Sequence, residues 1–471
     1  MNNAQLQTDY LVIGSGATAM AFVDTLLDEQ PDATVLMVDR QHRPGGHWNH
    51  AYPWVRVHQP SAWYGVASRE LASGDKDKVG LNAGLYSMAS GAEVLAHFEQ
   101  VMQQRFLPSG RVRWLAMTDY QAGPDGTHRV TSLVSGQAQT VQVRRKVVDG
   151  THARTEVPAT HAPRYTVAPG VACVPINALA SLGRPYASYT VVGSGKTGID
   201  ACLWLLDHGV EPARIRWIMP RDAWFLDRAN FQPGLENFER NMGYSLDQFS
   251  AIVEAKSPAD LFARLEAMGA LLRLDPAVEP STYRCGTVSR DELALLRTIG
   301  DVVRLGRLRA IEPTRIVLDR GVMKADPDAL YVDCSASALQ PLPGLPVFDG
   351  ARINLFMVRF CQPLFNAALI AFVESHGADD GQRNALCTVV PSPEVPRDWM
   401  RMWAVTLANT ARWREHPALN AWLKGCRLNS QAVMARGILP EDGARLALLR
   451  QTGLKAAEAA AHLPRLLAMP S

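Results

Sequence analysis

Two stretches of this chain carry the same pattern of glycines. YLVIGSGATAM spans residues 10–20, and YTVVGSGKTGI spans residues 189–199. Glycines at this spacing permit a tight turn and a close backbone approach to a pyrophosphate, and a helix that begins there stabilises the anion. The pattern therefore predicts two dinucleotide sites. Their predicted cofactor-binding residues are Gly14, Ser15, Gly16, Ala17 and Ala19 in the first unit, and Gly193, Ser194, Gly195, Lys196, Thr197 and Gly198 in the second.

The segments around each turn indicate strand, turn, helix and strand. DYLVIG and SYTVVG read as buried parallel strands, and both turns are followed by apolar residues at helical spacing. The next strand of the first unit ends on Asp39 and Arg40, and an aspartate there can accept hydrogen bonds from ribose hydroxyls. The corresponding strand of the second unit ends on Arg221, which suits a 2′-phosphate. We therefore expect FAD on the first unit and NADPH on the second; the alternative for Arg221 is a solvated surface charge.

The lysine of the second turn raises an ATP-binding alternative. GSGKT is similar to the end of a phosphate-binding loop, which needs a glycine five residues before the glycine that precedes the lysine. Thr190 occupies that position. The spacing therefore argues against an ATP site.

Composition restricts the partners of the chain. Its 471 residues are 47% hydrophobic and 20% charged, with a formal charge of +2. This balance argues against bulk attraction to nucleic acid or an anionic membrane, and no apolar run reaches the roughly 18 residues of a membrane-spanning helix. Seven scattered cysteines without a Cys-x-x-Cys motif predict reduced thiols in a cytoplasmic protein, and no metal site. The first residues, MNNAQLQTDY, contain no basic region followed by an apolar one, so we expect a protein that is not secreted.

The order of elements predicts an α/β fold with two Rossmann-like dinucleotide-binding domains. Residues 1–165 would form the first part of the FAD domain, and residues 166–325 the NADPH domain with a helical insertion at about 225–300. Residues 326–471 would complete the FAD domain and add C-terminal helices. Within the insertion, Ser257 with Pro258 predicts one helix start, and Ser289 with Glu292 predicts a capping box.

The stretch RPGGHWNHAYPWVRVHQPSAWYG, residues 43–65, resembles the class B flavin monooxygenases. Those enzymes carry a Gly-Gly-x-Trp and then a Tyr-Pro segment beside the flavin ring. The matching residues here are Gly45, Gly46, Trp48, Tyr52, Pro53 and Arg56. Disulfide reductases with paired dinucleotide domains place a cysteine pair soon after Gly-Gly, whereas the first cysteine here is Cys173, which argues against that branch.

The resemblance implies further site residues. Arg56 and His58 would be catalytic, and Gly46, His47, Trp48 and Gln59 would contact the cofactor. The strand ALYVDCSAS, residues 329–337, would return to the FAD domain and bring Asp333 to the flavin.

Two departures from the family concern the chemistry. Baeyer–Villiger members have aspartate at the position of His58, and N- or S-oxidising members tend to have asparagine nearby. The stretch between the two units also lacks the Phe-x-Gly-x-x-x-His fingerprint of both groups. We expect His58 to titrate near neutrality and to exchange protons with a peroxyflavin; the alternative is a packed loop histidine.

The function implied is that of an FAD-containing, NADPH-dependent monooxygenase. O₂ would react at the reduced flavin to give a C4a-(hydro)peroxyflavin, which oxygenates a small or medium organic substrate by N-hydroxylation or Baeyer–Villiger-type oxidation. The alternatives are an FAD-dependent dehydrogenase or oxidase, and a non-catalytic flavin-binding protein. The sequence leaves open whether the chain forms a homodimer.

Overall fold

The two glycine turns lie in two separate sheets of parallel strands. The computed structural model describes residues 6–71, 73–152, 155–336 and 344–470. In chain order the strands are β1 (Leu6–Ile13), β2 (Val35–Val38), β3 (Gly65–Val66), β4 (Arg69–Glu70), β5 (Val112–Leu115), β6 (Thr118–Ala122), β7 (His128–Ser132), β8 (Ala138–Asp149), β9 (Thr166–Val167), β10 (Cys173–Pro175), β11 (Ser188–Val192), β12 (Ile215–Ile218), β13 (Ala223–Asp227), β14 (Thr282–Val288), β15 (Asp301–Val303), β16 (Leu308–Ile311), β17 (Arg315–Leu318), β18 (Gly321–Lys324), β19 (Ala329–Asp333), β20 (Phe348–Asp349) and β21 (Arg352–Asn354).

Helices connect the parallel strands and make up most of the C-terminal third of the described chain. They are α1 (Ala17–Glu29), α2 (Gly91–Val101), α3 (Lys196–Asp207), α4 (Phe238–Glu254), α5 (Pro258–Ala267), α6 (Arg290–Leu296), α7 (Pro363–His376), α8 (Asp380–Leu386), α9 (Pro396–Glu415), α10 (Pro417–Gly425), α11 (Ser430–Ala435) and α12 (Gly443–Ala468).

The first sheet contains the first glycine turn. Strands β21, β8, β1, β2 and β5 are parallel neighbours in that order, and the antiparallel strands β20, β7 and β6 extend the sheet. Helix α1 leaves β1 through the turn and packs closely, because a Cβ on Gly150 would lie 2.8 Å from the Cβ of Ala19. A residue larger than alanine at position 19 would force the helix away from the sheet.

The second sheet repeats this arrangement. All five of its strands are parallel, in the order β10, β19, β11, β12 and β15. Helix α3 follows β11 directly, as α1 follows β1. The predicted α/β fold with two Rossmann-like units is therefore confirmed, as are the helical insertion and the helical C-terminal region. The domain boundaries at 165 and 325 stay predictions.

The sequence correctly predicted where two helices of the insertion begin. Helix α5 begins at Pro258 with Ser257 as its N-cap, and Ser289 and Glu292 form both bonds of a capping box at α6. These signals depend on residues three positions apart, so the sequence contains all the information they need.

One prediction about the cysteines is wrong. Cys285 and Cys361 form a disulfide across a sequence separation of 76 residues, and the other five cysteines are free. No spacing rule relates positions so distant, because the fold alone brings β14 to the segment that follows β21.

In the described ranges, no helix is long and apolar enough to cross a membrane.

Candidate functional site

The first glycine turn leaves the N-terminus of α1 open. Gly14 has a φ of +88°, a conformation that favours glycine, and Gly16 is the N-cap of α1 without a side-chain cap. The turn also touches the Gly-Gly segment closely, since a Cβ on Gly46 would lie 3.0 Å from the Cα of Gly16. Uncapped amide groups at a helix start are donors for an anion such as a pyrophosphate.

Asp39 lies beside this turn, at the carboxyl end of β2. Its Oδ2 atom accepts a hydrogen bond from the hydroxyl of Ser15 at 2.7 Å, and its Oδ1 atom accepts from the backbone N–H of Gln41 at 2.8 Å. The turn thus fixes the orientation of the carboxylate. The neighbouring Arg40 is exposed and forms an ion pair with Asp119 at 2.8 Å. Its positive charge is therefore already neutralised at the surface.

The second turn has the same geometry as the first, but the space around its N-cap glycine is less crowded. Gly193 has a φ of +126°, and Gly198 packs on it so closely that a Cβ there would lie 2.1 Å from the carbonyl oxygen of Gly193. Gly195 is the uncapped N-cap of α3, and a Cβ there would meet no atom within 4 Å. Ser194 and Thr197 are half-buried in the same turn. This open surface gives a ligand access to the start of α3.

Lys196 makes an ion pair with Asp200, one helical turn further along α3. The same Oδ2 atom of Asp200 accepts a hydrogen bond from the hydroxyl of Tyr52. Burial and the negative charge of Asp200 raise the pKa of Tyr52 well above its usual range, so the hydroxyl stays protonated. A three-residue network therefore joins the Tyr-Pro segment to the second dinucleotide unit.

The residues between Gly45 and Tyr52 connect the two turns. The backbone N–H of Gly45 donates to the carbonyl of Ser15 at 2.9 Å, which ties the Gly-Gly segment to the first turn. Trp48 is buried and donates from Nε1 to the hydroxyl of Tyr64 at 2.9 Å. His47 is exposed, and its ring stacks on Trp48 at a centroid distance of 5.4 Å. A single short segment thus spans from the start of α1 to the flank of α3.

His58 lies further along this segment and is half-buried. Its carbonyl accepts a hydrogen bond from the hydroxyl of Thr287 in β14 at 2.8 Å. Loss of solvent, followed by the positive charges of Lys196 and Arg228, lowers the pKa of His58 well below 6.5. The imidazole is therefore neutral at pH 7, which differs from the expected titration near neutrality. The difference arises because neither the burial of His58 nor the approach of Lys196 and Arg228, which are remote in sequence, is visible in the local motif.

Three other predicted residues have identifiable contacts. Arg56 is exposed and donates to the carbonyl of Met88 at 2.8 Å, a contact with the backbone of the neighbouring loop. Gln59 donates from Nε2 to the carbonyl of Cys361 at 3.4 Å. Asp333 is buried and pairs in register with Val192, the last residue of β11.

The position of Asp333 differs from the expected return of this strand to the first unit. All five residues of β19 are buried, and they have parallel partners in β10 and β11. The strand therefore completes the second sheet, and Asp333 lies beside the second glycine turn.

Arg221 forms an ion pair that the sequence did not indicate. Its guanidinium lies 2.9 Å from Oε1 of Glu394, and Arg284 lies 3.2 Å from the same oxygen. These three side chains are between 35% and 44% exposed. A 2′-phosphate bound by Arg221 would therefore have to compete with Glu394.

Sequence reasoning missed Asp200, Thr287 and Glu394 as members of this region. Asp200 had a signal: an aspartate four residues after a lysine at a helix start predicts an ion pair. Thr287 and Glu394 reach the site only through tertiary contacts.

No protein-family model matches the chain. Two curated relatives are uncharacterized mycobacterial proteins, Rv2000 of Mycobacterium tuberculosis and Mb2023 of Mycobacterium bovis. Each is 49% identical to this chain over 427 residues, an alignment that covers 90% of this chain and 78% of the relative.

Solved structures with a similar fold include two ketone monooxygenases. The polycyclic ketone monooxygenase of Thermothelomyces thermophila aligns with a TM-score of 0.51 at 12% identity, covering 98% of this chain and 87% of that chain. A cyclohexanone monooxygenase with bound epsilon-caprolactone aligns with a TM-score of 0.50 at 15% identity, covering 92% and 98%. At these identities the similarity shows a shared two-domain α/β fold.

Proposed function

The chain belongs to the same protein family as the uncharacterized mycobacterial relatives, and we propose that it is an FAD-containing, NADPH-dependent monooxygenase. Its substrate would be a small or medium organic molecule, and O₂ would be the second substrate. The observation that carries this proposal is the pair of uncapped helix starts, α1 and α3, which one short segment with its Tyr52–Asp200 bond connects.

The first unit fits FAD. Gly16 and Gly46 approach each other without side chains, and the uncapped start of α1 offers amide donors where a pyrophosphate would bind. Asp39 accepts from both the backbone N–H and the hydroxyl of Ser15 at Oδ2 and from Gln41 at Oδ1, so Oδ1 keeps one lone pair that can accept from a hydroxyl of the adenosine ribose. FMN has neither the pyrophosphate nor the adenosine ribose, so this arrangement favours FAD.

The second unit fits a nicotinamide dinucleotide. The space above Gly195 gives a pyrophosphate access to the start of α3. Arg221 and Arg284 together could hold a 2′-phosphate if the phosphate replaces the carboxylate of Glu394 as their partner. This supports NADPH over NADH.

The connecting segment would position the two cofactors against one another. FAD, when bound, would accept hydride from NADPH and activate O₂, so that one oxygen atom enters the substrate and the other leaves as water. Trp48, in this segment, packs edge-on against Tyr64, and the pair would exclude water from that side. Neutral His58 carries a hydrogen on one ring nitrogen and a lone pair on the other, so it would donate or accept a proton if the flavin ring binds beside it.

The experiment starts from the colour of the purified protein. Heat release of the flavin followed by chromatography should give FAD. Anaerobic NADPH should then bleach the flavin absorbance, and admission of air should restore it with consumption of O₂. FMN, or a flavin that neither NADPH nor NADH reduces, would contradict the proposal.

Oxygen transfer needs its own measurement, because an oxidase would also consume O₂. A panel of ketones, amines and sulfides incubated under ¹⁸O₂ with NADPH should include a substrate whose product gains one labelled atom. Stoichiometric hydrogen peroxide with every compound would instead favour the oxidase alternative.

A further inference from the structure

The disulfide between Cys285 and Cys361 joins two parts of the chain at the edge of the site. Cys285 lies in β14, within the insertion, and Cys361 lies two residues before α7. We propose that this pair is a redox-active site that exchanges with a dithiol reductant and thereby controls the position of the segment His58–Gln59. Its effect on catalysis rests on the proposed function, whereas the exchange itself does not.

Both half-cystines are tied to this segment. The side chain of Gln59 donates to the carbonyl of Cys361 at 3.4 Å. On the other side of the disulfide, Thr287, two residues after Cys285, donates from its hydroxyl to the carbonyl of His58 at 2.8 Å. The disulfide therefore closes a ring of contacts around His58 and Gln59. Breaking it would remove the covalent link between β14 and the segment before α7 and leave only packing such as the stack of Tyr283 on Phe360. The two hydrogen bonds to His58 and Gln59 would then be held less firmly relative to one another.

The backbone at both cysteines is unusual. Cys285 has a φ of +57° and Cys361 a φ of +45°; in the described ranges only Met117 shares a positive φ among residues other than glycine. Side chains disfavour this left-handed region, and residues held in it concentrate at functional and switching sites. Both cysteines would gain from relaxing to an ordinary conformation once the bond between them opens.

Accessibility separates this pair from most of the other cysteines. Cys285 and Cys361 are both half-buried, whereas four of the other five cysteines are buried, so this pair is the more accessible to a small dithiol. Cys202, Cys334 and Cys387 are buried, and burial raises the pKa of each thiol above its usual range, which keeps them unreactive.

The exchange is an ordinary two-electron transfer. A thiolate of the reductant attacks one sulfur, the disulfide bond breaks, and the other cysteine leaves as a thiolate that takes up a proton. The second thiol of the reductant then attacks the mixed disulfide. The products are two cysteine thiols and the oxidised, cyclic reductant.

Thiol counting on the holoprotein tests the site directly. Protein purified without reductant is acid-quenched, unfolded and alkylated with iodoacetamide, and its intact mass gives the number of free thiols. We expect five, and seven after native protein has been incubated with dithiothreitol before the quench. Peptide mapping of the oxidised sample should identify Cys285 with Cys361. Seven thiols in the untreated protein, or five after dithiothreitol, would overturn the proposal.

A second measurement tests control of the site. Dithiothreitol should change the rate of anaerobic flavin bleaching by NADPH at least about threefold in the wild type. Cys285→Ser and Cys361→Ser should show the changed rate from the start and should not respond to dithiothreitol. Cys387→Ser, at a buried free cysteine, should respond as the wild type does. If dithiothreitol changed the bleaching rate of Cys285→Ser as much as that of the wild type, the effect would not come from this disulfide. If the protein holds no flavin, the proposed function fails, yet the thiol count still decides whether the pair exchanges.

Discussion

The hydroxyl of Tyr52 donates a hydrogen bond to Asp200, and the ammonium of Lys196 donates to the same carboxylate oxygen. Tyr52 follows the first dinucleotide unit, whereas the other two residues lie on α3, the helix that follows the glycine turn of the second unit. This contact explains the lysine of the second glycine turn. Its charge is balanced within the protein, so a role as a phosphate ligand is not needed to account for it.

The first prediction concerns the coupling of these residues. Asp200→Asn removes the charge while keeping the shape, and it leaves Tyr52 and Lys196 without their anionic partner. We expect a loss of about 1–3 kcal/mol in the free energy of unfolding, because partners of charged groups become unsatisfied. Urea unfolding of Tyr52→Phe, Asp200→Asn and the double variant should give a coupling energy above about 0.5 kcal/mol.

A matched control is available in the β6–β7 hairpin. The hydroxyl of Tyr120 lies 3.0 Å from Nδ1 of His128, in a small and partly buried contact. The losses in the free energy of unfolding caused by Tyr120→Phe and Asp200→Asn should therefore be additive, with no coupling energy between the two sites. Additive effects of Tyr52→Phe and Asp200→Asn would show that the bond between the units contributes no stability.

Local sequence patterns predicted the parts of the site that depend on near neighbours. Both glycine turns, the helices after them and the position of Asp39 follow from residues within about 30 positions, since each βαβ unit is a contiguous piece of chain. The same reasoning could not find Glu394 beside Arg221, because 173 residues separate the two.

The charge environment of His58 was hidden for a related reason. Its pKa is lowered first by burial and then by the charges of Lys196 and Arg228, which the second unit and the insertion bring near. A family motif gives the residue type at a position, whereas the pKa of that residue depends on every element that packs against it.

The second prediction separates a glycine needed by the fold from one needed by a ligand. Gly195 has a φ of −83°, and a Cβ there meets no atom within 4 Å. Gly195→Ala should therefore cost at most about 1 kcal/mol of folding stability. A pyrophosphate at the start of α3 would lose its close approach, so the affinity for NADPH should fall at least about tenfold.

Gly183→Ala is the control, because its added Cβ also meets nothing within 4 Å and lies outside the glycine turn. Thermal unfolding and an anaerobic NADPH titration should be run on both variants. Unchanged NADPH affinity in Gly195→Ala would mean that the pyrophosphate does not bind at α3.

The third prediction concerns cofactor preference. Arg221→Ala should weaken the use of NADPH by roughly 1.5–3 kcal/mol, the range for hydrogen bonds to charged groups, and should leave NADH almost unaffected. Glu394→Gln should act in the opposite direction, because it removes the carboxylate that competes with the 2′-phosphate. Rates of flavin reduction with each nucleotide measure both effects.

Arg315→Ala controls for the loss of a surface arginine, since Arg315 pairs with Glu312 in an exposed contact at 2.6 Å. It should change neither rate. Equal losses with NADPH and NADH in Arg221→Ala would mean that this arginine has a structural role only.

The fourth prediction follows from the lowered pKa of His58. In the unfolded chain this histidine titrates near 6.5, and in the folded chain it titrates well below that value. Well above pH 6.5 both states are neutral, and the full stability is present. As the pH falls below 6.5 the unfolded state binds a proton that the folded state does not, so stability is lost until the pH passes the folded pKa. In His58→Asn the free energy of unfolding should therefore fall less steeply with pH, by up to about 1.4 kcal/mol per pH unit.

His97, whose burial lowers its pKa to about 4, is present in both proteins and cancels in the comparison. Urea unfolding between about pH 7.5 and 5 provides the slopes, with exposed His42→Asn as the control that should match the wild type. A slope in His58→Asn equal to that of the wild type would mean that His58 titrates in the folded protein as it does in the unfolded chain.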